Sequence, residues 1–341
     1  MNGEDGFCID SSEVIFMRRR NLLTGSGAAL GMLVLILDSR TALVGAAEGL
    51  ELCVKTVIPS LLPFIFFSNL LMGSLSGIPL PVLRPVRKRF SMPEGTEALL
   101  VPAFLGGYPV GAQCVAAAHR SGGLSRRDAE NLLAFCSNPG PAFLFGMVGR
   151  FFPEDWMIWM LWGILIVSAF LVSLCFPCAQ SDCEPALGNS HGEAPMKTTV
   201  SVMGSICGWV ILFRVLIAFL DRWFLWLIPY PGRLVLIGML ELTNGCCGLG
   251  EIANIPLRFA LAAGFLSFGG LCVTMQTVSV TQGLSVKNYL IGKILQTILC
   301  TVLAFSAFHT VAFFAVCVIL FLLLIPGKLR KKSRNPVAIG V

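Results

Sequence analysis

Four stretches of this sequence place glycine, proline and small polar residues inside segments that are otherwise apolar enough to cross a membrane. They read FLGGYPVGAQ at 104–113, SNPGP at 137–141, ELTNG at 241–245 and SFGG at 267–270. An interrupted helix exposes free N–H groups on one side of the break and free C=O groups on the other. Such backbone persists at membrane depth only where it is buried in protein or lines a wet cavity. The four breaks therefore predict a polar binding pocket that needs few charged residues.

The first break contains residues that favour a backbone turn and one tyrosine side chain. Gly107, Pro109 and Gly111 allow the backbone to turn and to approach a ligand closely. Tyr108 could stack on a flat solute, and Gln113 adds an amide. The alternative is that the glycines only let helices pack closely.

The second break carries Ser137 and Asn138 where two prolines and Gly140 open the backbone. Prolines remove hydrogen-bond donors and end a helix. We predict that both polar side chains face the pocket. The alternative is a proline kink in which they satisfy freed carbonyls.

The third break contains an acidic residue, Glu241, inside a membrane segment. A carboxylate there is costly, so it is a candidate for function. We expect the segment to turn at Thr243-Asn244-Gly245 and Glu241 to carry a coupling proton or bind a cation. The alternative is an ion pair between Glu241 and Arg214 or Arg258.

The fourth break consists of Ser267, Gly269 and Gly270, followed by Gln276. Small residues suit an unwound segment, and Gln276 could face the same cavity. Close helix packing explains this stretch nearly as well.

Composition defines the class of protein. The 341 residues are 55% hydrophobic and 13% charged, and their mean hydropathy is +0.80. Too few polar residues remain to cover a water-facing surface, which predicts an all-α polytopic membrane protein. The net charge of +6 comes from short basic clusters beside apolar runs, a pattern of cytoplasmic membrane flanks rather than of nucleic-acid binding.

We expect about eight spanning helices and two re-entrant hairpins. The hairpins are predicted at 97–118 and 233–250, because a dip that returns to its own side keeps Arg120, Arg126 and Arg127 in the cytoplasm. Both termini are then cytoplasmic. The predicted spans are 22–38, 57–76, 129–150, 156–176, 200–220, 257–280, 288–309 and 311–325.

The segments form two halves of opposite orientation. Each half contains a span, a hairpin, a broken span and a further span, and FCSNPG at 135–140 aligns with FLSFGG at 265–270. Inverted repeats with helices broken near the midplane are typical of transporters. The predicted parts are a cytoplasmic segment 1–21, a first transmembrane half 22–176, a cytoplasmic loop 177–199, a second transmembrane half 200–325 and a basic cytoplasmic tail 326–341.

Other chemistries find little support. A metal site at Cys175, Cys178 and Cys183 with His191 would need a second cysteine pair, so no cofactor or metal is expected. The sequence has no H-E-x-x-H, G-x-S-x-G or Walker-type motif, which argues against an intramembrane enzyme and an ATP-driven pump.

The motifs GGYPVGAQ, GGLSRRDAENLLAFCSNPGP, ELTNG and FLSFGGLCVTMQ, in order across about residues 40–325, resemble the nucleoside-recognition (Gate) family of bacterial membrane proteins. The branch they resemble is the sporulation integral membrane protein, or YlbJ, type. This resemblance implies a fold related to concentrative nucleoside carriers and movement of dipicolinate into the developing spore. The matching positions are Gly107, Tyr108, Pro109, Gly111, Ala112, Asn138, Gly140, Pro141, Glu241, Asn244, Gly245, Gly269 and Gly270.

Three positions depart from that resemblance. It leads us to expect a small polar residue at Val110, a lysine at Gln113 and a small residue at Pro139. A dianion such as dipicolinate favours a cation in its pocket. The resemblance therefore supports a carrier more firmly than it supports this cargo.

We therefore predict a transporter of a small polar solute, with a planar organic anion such as dipicolinate first. Nucleosides or other metabolites, and a non-transporting membrane component required for spore formation, are the alternatives. The expected partners are the lipid bilayer and the solute, not nucleic acid. Coupling to H⁺ or Na⁺ and the oligomeric state, a homodimer included, are left open.

Overall fold

The structure is a computed structural model that describes residues 11–75, 81–89, 97–178 and 195–309, and these residues contain helices and no strand. The helices of the first half are α1 Ser11–Leu37, α2 Ser39–Leu52, α3 Ile58–Leu75, α4 Arg84–Arg89, α5 Glu97–Leu105, α6 Val110–Arg120, α7 Arg126–Leu133, α8 Pro141–Phe143 and α9 Asp155–Ser173. Those of the second half are α10 Pro195–Trp223, α11 Tyr230–Leu240, α12 Leu242–Cys247, α13 Ile255–Phe268, α14 Gly270–Val280 and α15 Lys287–Ser306.

Two short π-helical segments interrupt the first half. Cys53–Val57 joins α2 to α3, and Leu144–Val148 continues α8 towards the 3-10 turn Gly149–Phe151. Further 3-10 turns lie at Pro81–Leu83, Leu225–Leu227 and Gly248–Glu251.

Five helical stretches of the described residues are long and apolar enough to cross a membrane. They are Ser39–Leu71, Asp155–Ser173, Pro195–Trp223, Ile255–Val280 and Lys287–Ser306. The chain is therefore a multi-pass helical membrane protein. The predicted total of eight spans stays a prediction, since 22–37 forms a shorter apolar helix and the predicted span 311–325 lies outside the described residues.

Two boundary predictions are wrong. Residues 39–56 were expected to connect two spans, but they continue as helix from α2 through the π-helical segment into α3. Residues 195–199 were assigned to the central loop, but they form the first turn of α10. Positions 179–194 of that loop lie outside the described residues.

Short helices occupy both segments for which hairpins were predicted. Helices α5 and α6 have 9 and 11 residues and contact each other, as do α11 and α12 with 11 and 6 residues. At 1.5 Å per residue, none of the four is long enough to cross a hydrocarbon core of about 30 Å. The break in the second segment falls at Glu241, whereas the expected turn residues 243–245 are helical.

The predicted span 129–150 is also interrupted. Helix α7 ends at Leu133, residues 137–140 are not helical, and α8 starts at Pro141. The predicted span 257–280 is divided at Gly269 into α13 and α14. The order of long helix, paired short helices, divided helix and long helix thus occurs twice along the chain.

Helices from the two halves pack closely. A Cβ atom on Gly45 of α2 would lie 2.9 Å from the Cβ of Ala218 on α10, and one on Gly49 would lie 2.9 Å from the Cα of Ile211. Ion pairs Glu48–Arg214 and Asp38–Arg222 join the same two helices. On the other side, α15 packs against both α13 and α9. These contacts hold the divided helices in place around a common centre.

Candidate functional site

The first break connects α5 to α6 and contains the cis peptide bond Tyr108–Pro109. The Tyr108 side chain is buried and leaves this break towards the fourth one. Its hydroxyl lies 2.9 Å from the carbonyl oxygen of Leu266 and 3.3 Å from that of Ser267, at the end of α13. The tyrosine thereby ties the two halves together instead of leaving its hydroxyl free for a solute.

The second break is held by the buried amide of Asn138. Its Nδ2 donates to the Phe135 carbonyl at 2.7 Å, and its Oδ1 accepts from Gln296 Nε2 of α15 at 2.8 Å. This agrees in part with the alternative that Asn138 satisfies freed carbonyls. Ser137 is fully buried, and its hydroxyl has no hydrogen-bond partner within the described part of the chain.

The first two breaks touch each other through glycines. A Cβ on Gly107 would lie 3.0 Å from the Gly140 nitrogen, and one on Gly111 would lie 1.8 Å from the Cys136 carbonyl oxygen. Backbone approaches this close exclude any side chain. For Gly111, the structure supports the packing alternative rather than direct contact with a ligand.

The third break is organised by Glu241, which is 1% exposed. Its carboxylate caps α12: Oε1 accepts from the Thr243 N–H at 3.0 Å, and Oε2 accepts from the N–H and the side-chain amide of Asn244, each at 2.7 Å. Three donors therefore stabilise the charge.

The ion pairs considered for Glu241 do not form. Arg214 pairs with Glu48. Arg258 donates to the carbonyl oxygens of Ile252 at 2.8 Å and Phe151 at 2.6 Å. Both arginines contact other groups, so the alternative of an ion pair between Glu241 and either arginine is wrong.

The fourth break depends on two consecutive glycines with φ of 79°. This left-handed backbone strains any other residue type, and Gly269 ends α13 while Gly270 begins α14. A Cβ on Gly269 would lie 3.3 Å from Tyr108 Cζ, and one on Gly270 would lie 3.3 Å from the Glu241 nitrogen. The fourth break therefore contacts the first and the third.

Lys293 of α15 is a central residue that the sequence analysis missed. It is 1% exposed, and Nζ donates to Tyr108 Oη at 3.1 Å, to Gln296 Oε1 at 2.9 Å and to the Ser137 carbonyl oxygen. Nζ also lies 4.9 Å from the centre of the Tyr108 ring. The signal available in the sequence was a single cation inside the apolar run 288–309, which is a functional candidate by default.

A buried cavity of about 40 Å³ lies where the breaks meet. Residues of the first three breaks line it, together with Val273 and Gln276 of α14, which begins at the fourth break. The full lining is Val57, Leu61, Tyr108, Pro139, Gly140, Phe143, Ile206, Val210, Glu241, Leu242, Thr243, Val273 and Gln276. The space accommodates a few water molecules. A nucleoside or an aromatic acid would require the walls to separate.

Several predicted residues point elsewhere. The Ser267 hydroxyl donates to the Ala263 carbonyl of its own helix at 2.6 Å, and Gly245 packs against Gly238. Gln113 does not line the cavity, although its buried Oε1 has no partner among the described residues. Gln276 does line it, with only a 3.3 Å contact from Nε2 to the Cys272 sulfur.

A wider vestibule of about 550 Å³ lies beside the cavity. Both spaces border the same two stretches, 55–64 and 139–150, and the vestibule contains the cations Lys55 and Arg150. Both π-helical segments contribute to its wall, and such segments often occur at functional sites. The vestibule is open to the surface, and its lining residues differ from those of the small cavity.

No group of three or more candidate metal ligands occurs in the ranges that the structure describes, but Cys183 and His191 lie outside them.

The long apolar helices define the class: a multi-pass helical membrane protein. The cavity at its helix breaks is lined mostly by apolar residues, with Tyr108, Glu241, Thr243 and Gln276 as the polar ones, so it is less polar than the sequence predicts. The chain is similar to a curated protein of Bacillus subtilis (strain 168), the sporulation integral membrane protein YlbJ, with 26% identity over 305 residues covering 73% of each chain. No family model matches the chain, and no solved structure matches it.

Proposed function

We propose that this protein transports a small polar solute across the membrane, with a planar organic anion such as dipicolinate as the first candidate, in a sporulating cell. The observation that carries the proposal is that three helix breaks line one cavity through Tyr108, Gly140 and Glu241, and that α14, which begins at the fourth break, adds Val273 and Gln276. Helices broken around a common central site are typical of transporters. The similarity to a sporulation membrane protein supports the cellular setting.

The proposed mechanism is alternating access between two inverted repeats. The twofold order of elements supports such repeats, with α5–α6 and α11–α12 as re-entrant hairpins of the nucleoside-recognition (Gate) type. Rocking of one half against the other would enlarge the cavity and connect it to the vestibule on one side. Both termini are proposed to lie in the cytoplasm, where the basic clusters favour them.

The test is uptake of labelled dipicolinate into proteoliposomes under a pH or sodium gradient, with uridine and adenosine in parallel. Gln276→Ala removes an amide from the cavity wall, while Gln282→Ala removes one from an exposed loop. We expect saturable dipicolinate uptake that Gln276→Ala lowers by about twofold to tenfold, the value of one hydrogen bond. Gln282→Ala should match the wild type.

A second candidate function fits the small cavity. A non-transporting membrane component needs no space for a solute, and the cavity of about 40 Å³ holds none of the proposed solutes as it stands. Uptake of nucleosides would keep the carrier and change its cargo. Correctly inserted protein that moves none of the three solutes would favour the non-transporting component.

A further inference from the structure

Lys293 is a buried amine whose hydrogen-bond partners are all uncharged. Its three contacts are a hydroxyl, an amide oxygen and a backbone carbonyl, which match the three N–H donors of an ammonium group. Within the described residues, no carboxylate lies within 4.0 Å of Nζ. An ionisable side chain buried inside a membrane segment is costly, and such residues mark solute or ion pathways.

Two helix N-termini lie near the Tyr108 side chain that contacts Lys293. Helices α6 and α14, each of 11 residues, begin at breaks beside Tyr108 and have no side-chain cap at their N-termini. A helix N-terminus carries a partial positive charge that favours anions. The unpartnered, fully buried hydroxyl of Ser137 belongs to the residue whose carbonyl binds Lys293.

The carboxylate at the cavity does not balance this charge. Glu241 accepts three hydrogen bonds from Thr243 and Asn244 at its own helix end, and it forms no ion pair with Lys293. Among the described hydrogen-bond partners of the lysine, only Tyr108 also lines the cavity, and its hydroxyl lies 3.1 Å from Nζ. Tyr108 is thus the side chain through which the lysine meets the cavity.

From this arrangement we propose that Lys293 is the charge partner of the solute and binds a carboxylate group, with Ser137 as a second donor. The proposal rests on the proposed transport function and specifies its solute as a carboxylate. In the closed protein, Tyr108, Gln296 and the Ser137 carbonyl occupy the three donors of the lysine. A solute carboxylate replaces Tyr108 when the cavity opens.

The test compares a charged and a neutral probe of the same shape. Binding of pyridine-2,6-dicarboxylate and of pyridine-2,6-dicarboxamide is measured on purified protein for the wild type, Lys293→Met and Gln296→Glu. Lys293→Met keeps an unbranched side chain at this position but removes the three N–H donors of Nζ. Gln296→Glu keeps the lysine but places an internal carboxylate at its position 2.9 Å from Nζ. The matched control is Lys287→Met, at an exposed lysine of the same helix.

We expect the wild type to prefer the dicarboxylate, and both Lys293→Met and Gln296→Glu to weaken its binding by about tenfold or more, the value of a hydrogen bond to a charged group. Binding of the diamide should change little, and Lys287→Met should behave as the wild type. Size-exclusion profiles establish that each variant is folded, and Gln296→Glu provides the test if Lys293→Met is not.

Two results would overturn the assignment. One is dicarboxylate binding in folded Lys293→Met or Gln296→Glu that equals the wild type. The other is a wild type that binds no carboxylate probe. In either case, uptake of uridine or adenosine by the same preparations would leave the proposed transporter standing without this residue, while the absence of all uptake would remove both.

Discussion

Among single residues, glycines determine how closely the breaks approach one another. Gly107 meets Gly140 backbone to backbone, and Gly111 meets the Cys136 carbonyl. Side chains contribute a connected set of buried polar groups, in which Lys293 and Gln296 of α15 hold Tyr108 and Asn138. Buried polar side chains are thus connected by hydrogen bonds, while the backbone around them is tightly packed.

The first prediction concerns the close backbone contact at Gly111. We expect Gly111→Ala to lower the free energy of unfolding by about 1–3 kcal/mol or more, since its Cβ would lie 1.8 Å from backbone that cannot move freely. The measurement is the thermal unfolding midpoint in detergent. Gly163→Ala in α9, where no atom lies within 4 Å of the added Cβ, is the matched control and should not lower the midpoint. Equal midpoints for the two variants would contradict the packing role.

The sequence predicts the positions of the helix breaks but not the contacts that the side chains make around them. Glycine and proline act locally, so the breaks at 106–109, 137–140 and 269 follow from residue type. The contact between Lys293 and the Ser137 carbonyl depends on which face of α15 meets the second break, and no local pattern encodes that. A lone lysine in an apolar run indicates function but does not name its partners.

At the scale of helices, the sequence indicates where a helix is interrupted better than where a helix continues. The stretch 38–56 contains five charged residues, which predicts a connection between spans. Instead, Asp38 caps α2 and residues 39–56 are helical. Polarity alone does not end a helix, because charges can lie on an exposed face while Gly45 and Gly49 face α10. At the third break, a capped start of α12 was missed because Glu241 was interpreted by its charge rather than by its position before a helix.

The second prediction concerns that helix end. Glu241→Ala removes the acceptors of three hydrogen bonds, and we expect it to lower the free energy of unfolding by about 1–2 kcal/mol. Glu154 precedes α9 in the same N-cap position but makes no capping bond, so Glu154→Ala is the control, with a change within about 0.5 kcal/mol. Chemical unfolding measures both. If Glu241→Ala retained full stability but lost gradient-driven uptake, a coupling role would replace the structural one.

For the whole molecule, the α2–α10 contact and the network around Lys293 connect the two halves at separate places. Ion pairs Glu48–Arg214 and Asp38–Arg222 join α2 to α10. Tyr108 reaches from the first half to the carbonyl oxygens at the end of α13 in the second. If the halves rock against each other, the Tyr108 contacts are the ones expected to break, because they lie at the cavity.

The third prediction concerns orientation. With cytoplasmic termini, the loop that contains Gly123 lies inside and the turn that contains Glu154 lies outside. In intact cells, a membrane-impermeant thiol reagent should label Glu154→Cys above the background of native cysteines. Gly123→Cys should gain label only after permeabilisation. Labelling of Gly123→Cys from outside would contradict the re-entrant interpretation of 97–118.

The long helix Ser39–Leu71 has a consequence for depth in the bilayer. Its 33 residues measure about 50 Å, and Lys55 lies at its midpoint with a side chain that is 71% exposed. A lysine at the bilayer centre costs about 2.5–3.5 kcal/mol or more. We therefore expect the helix to lie in the bilayer with Lys55 near one layer of head groups rather than at the midplane. The vestibule lined by Lys55 and Arg150 is then expected at that same depth, within reach of water and dissolved ions.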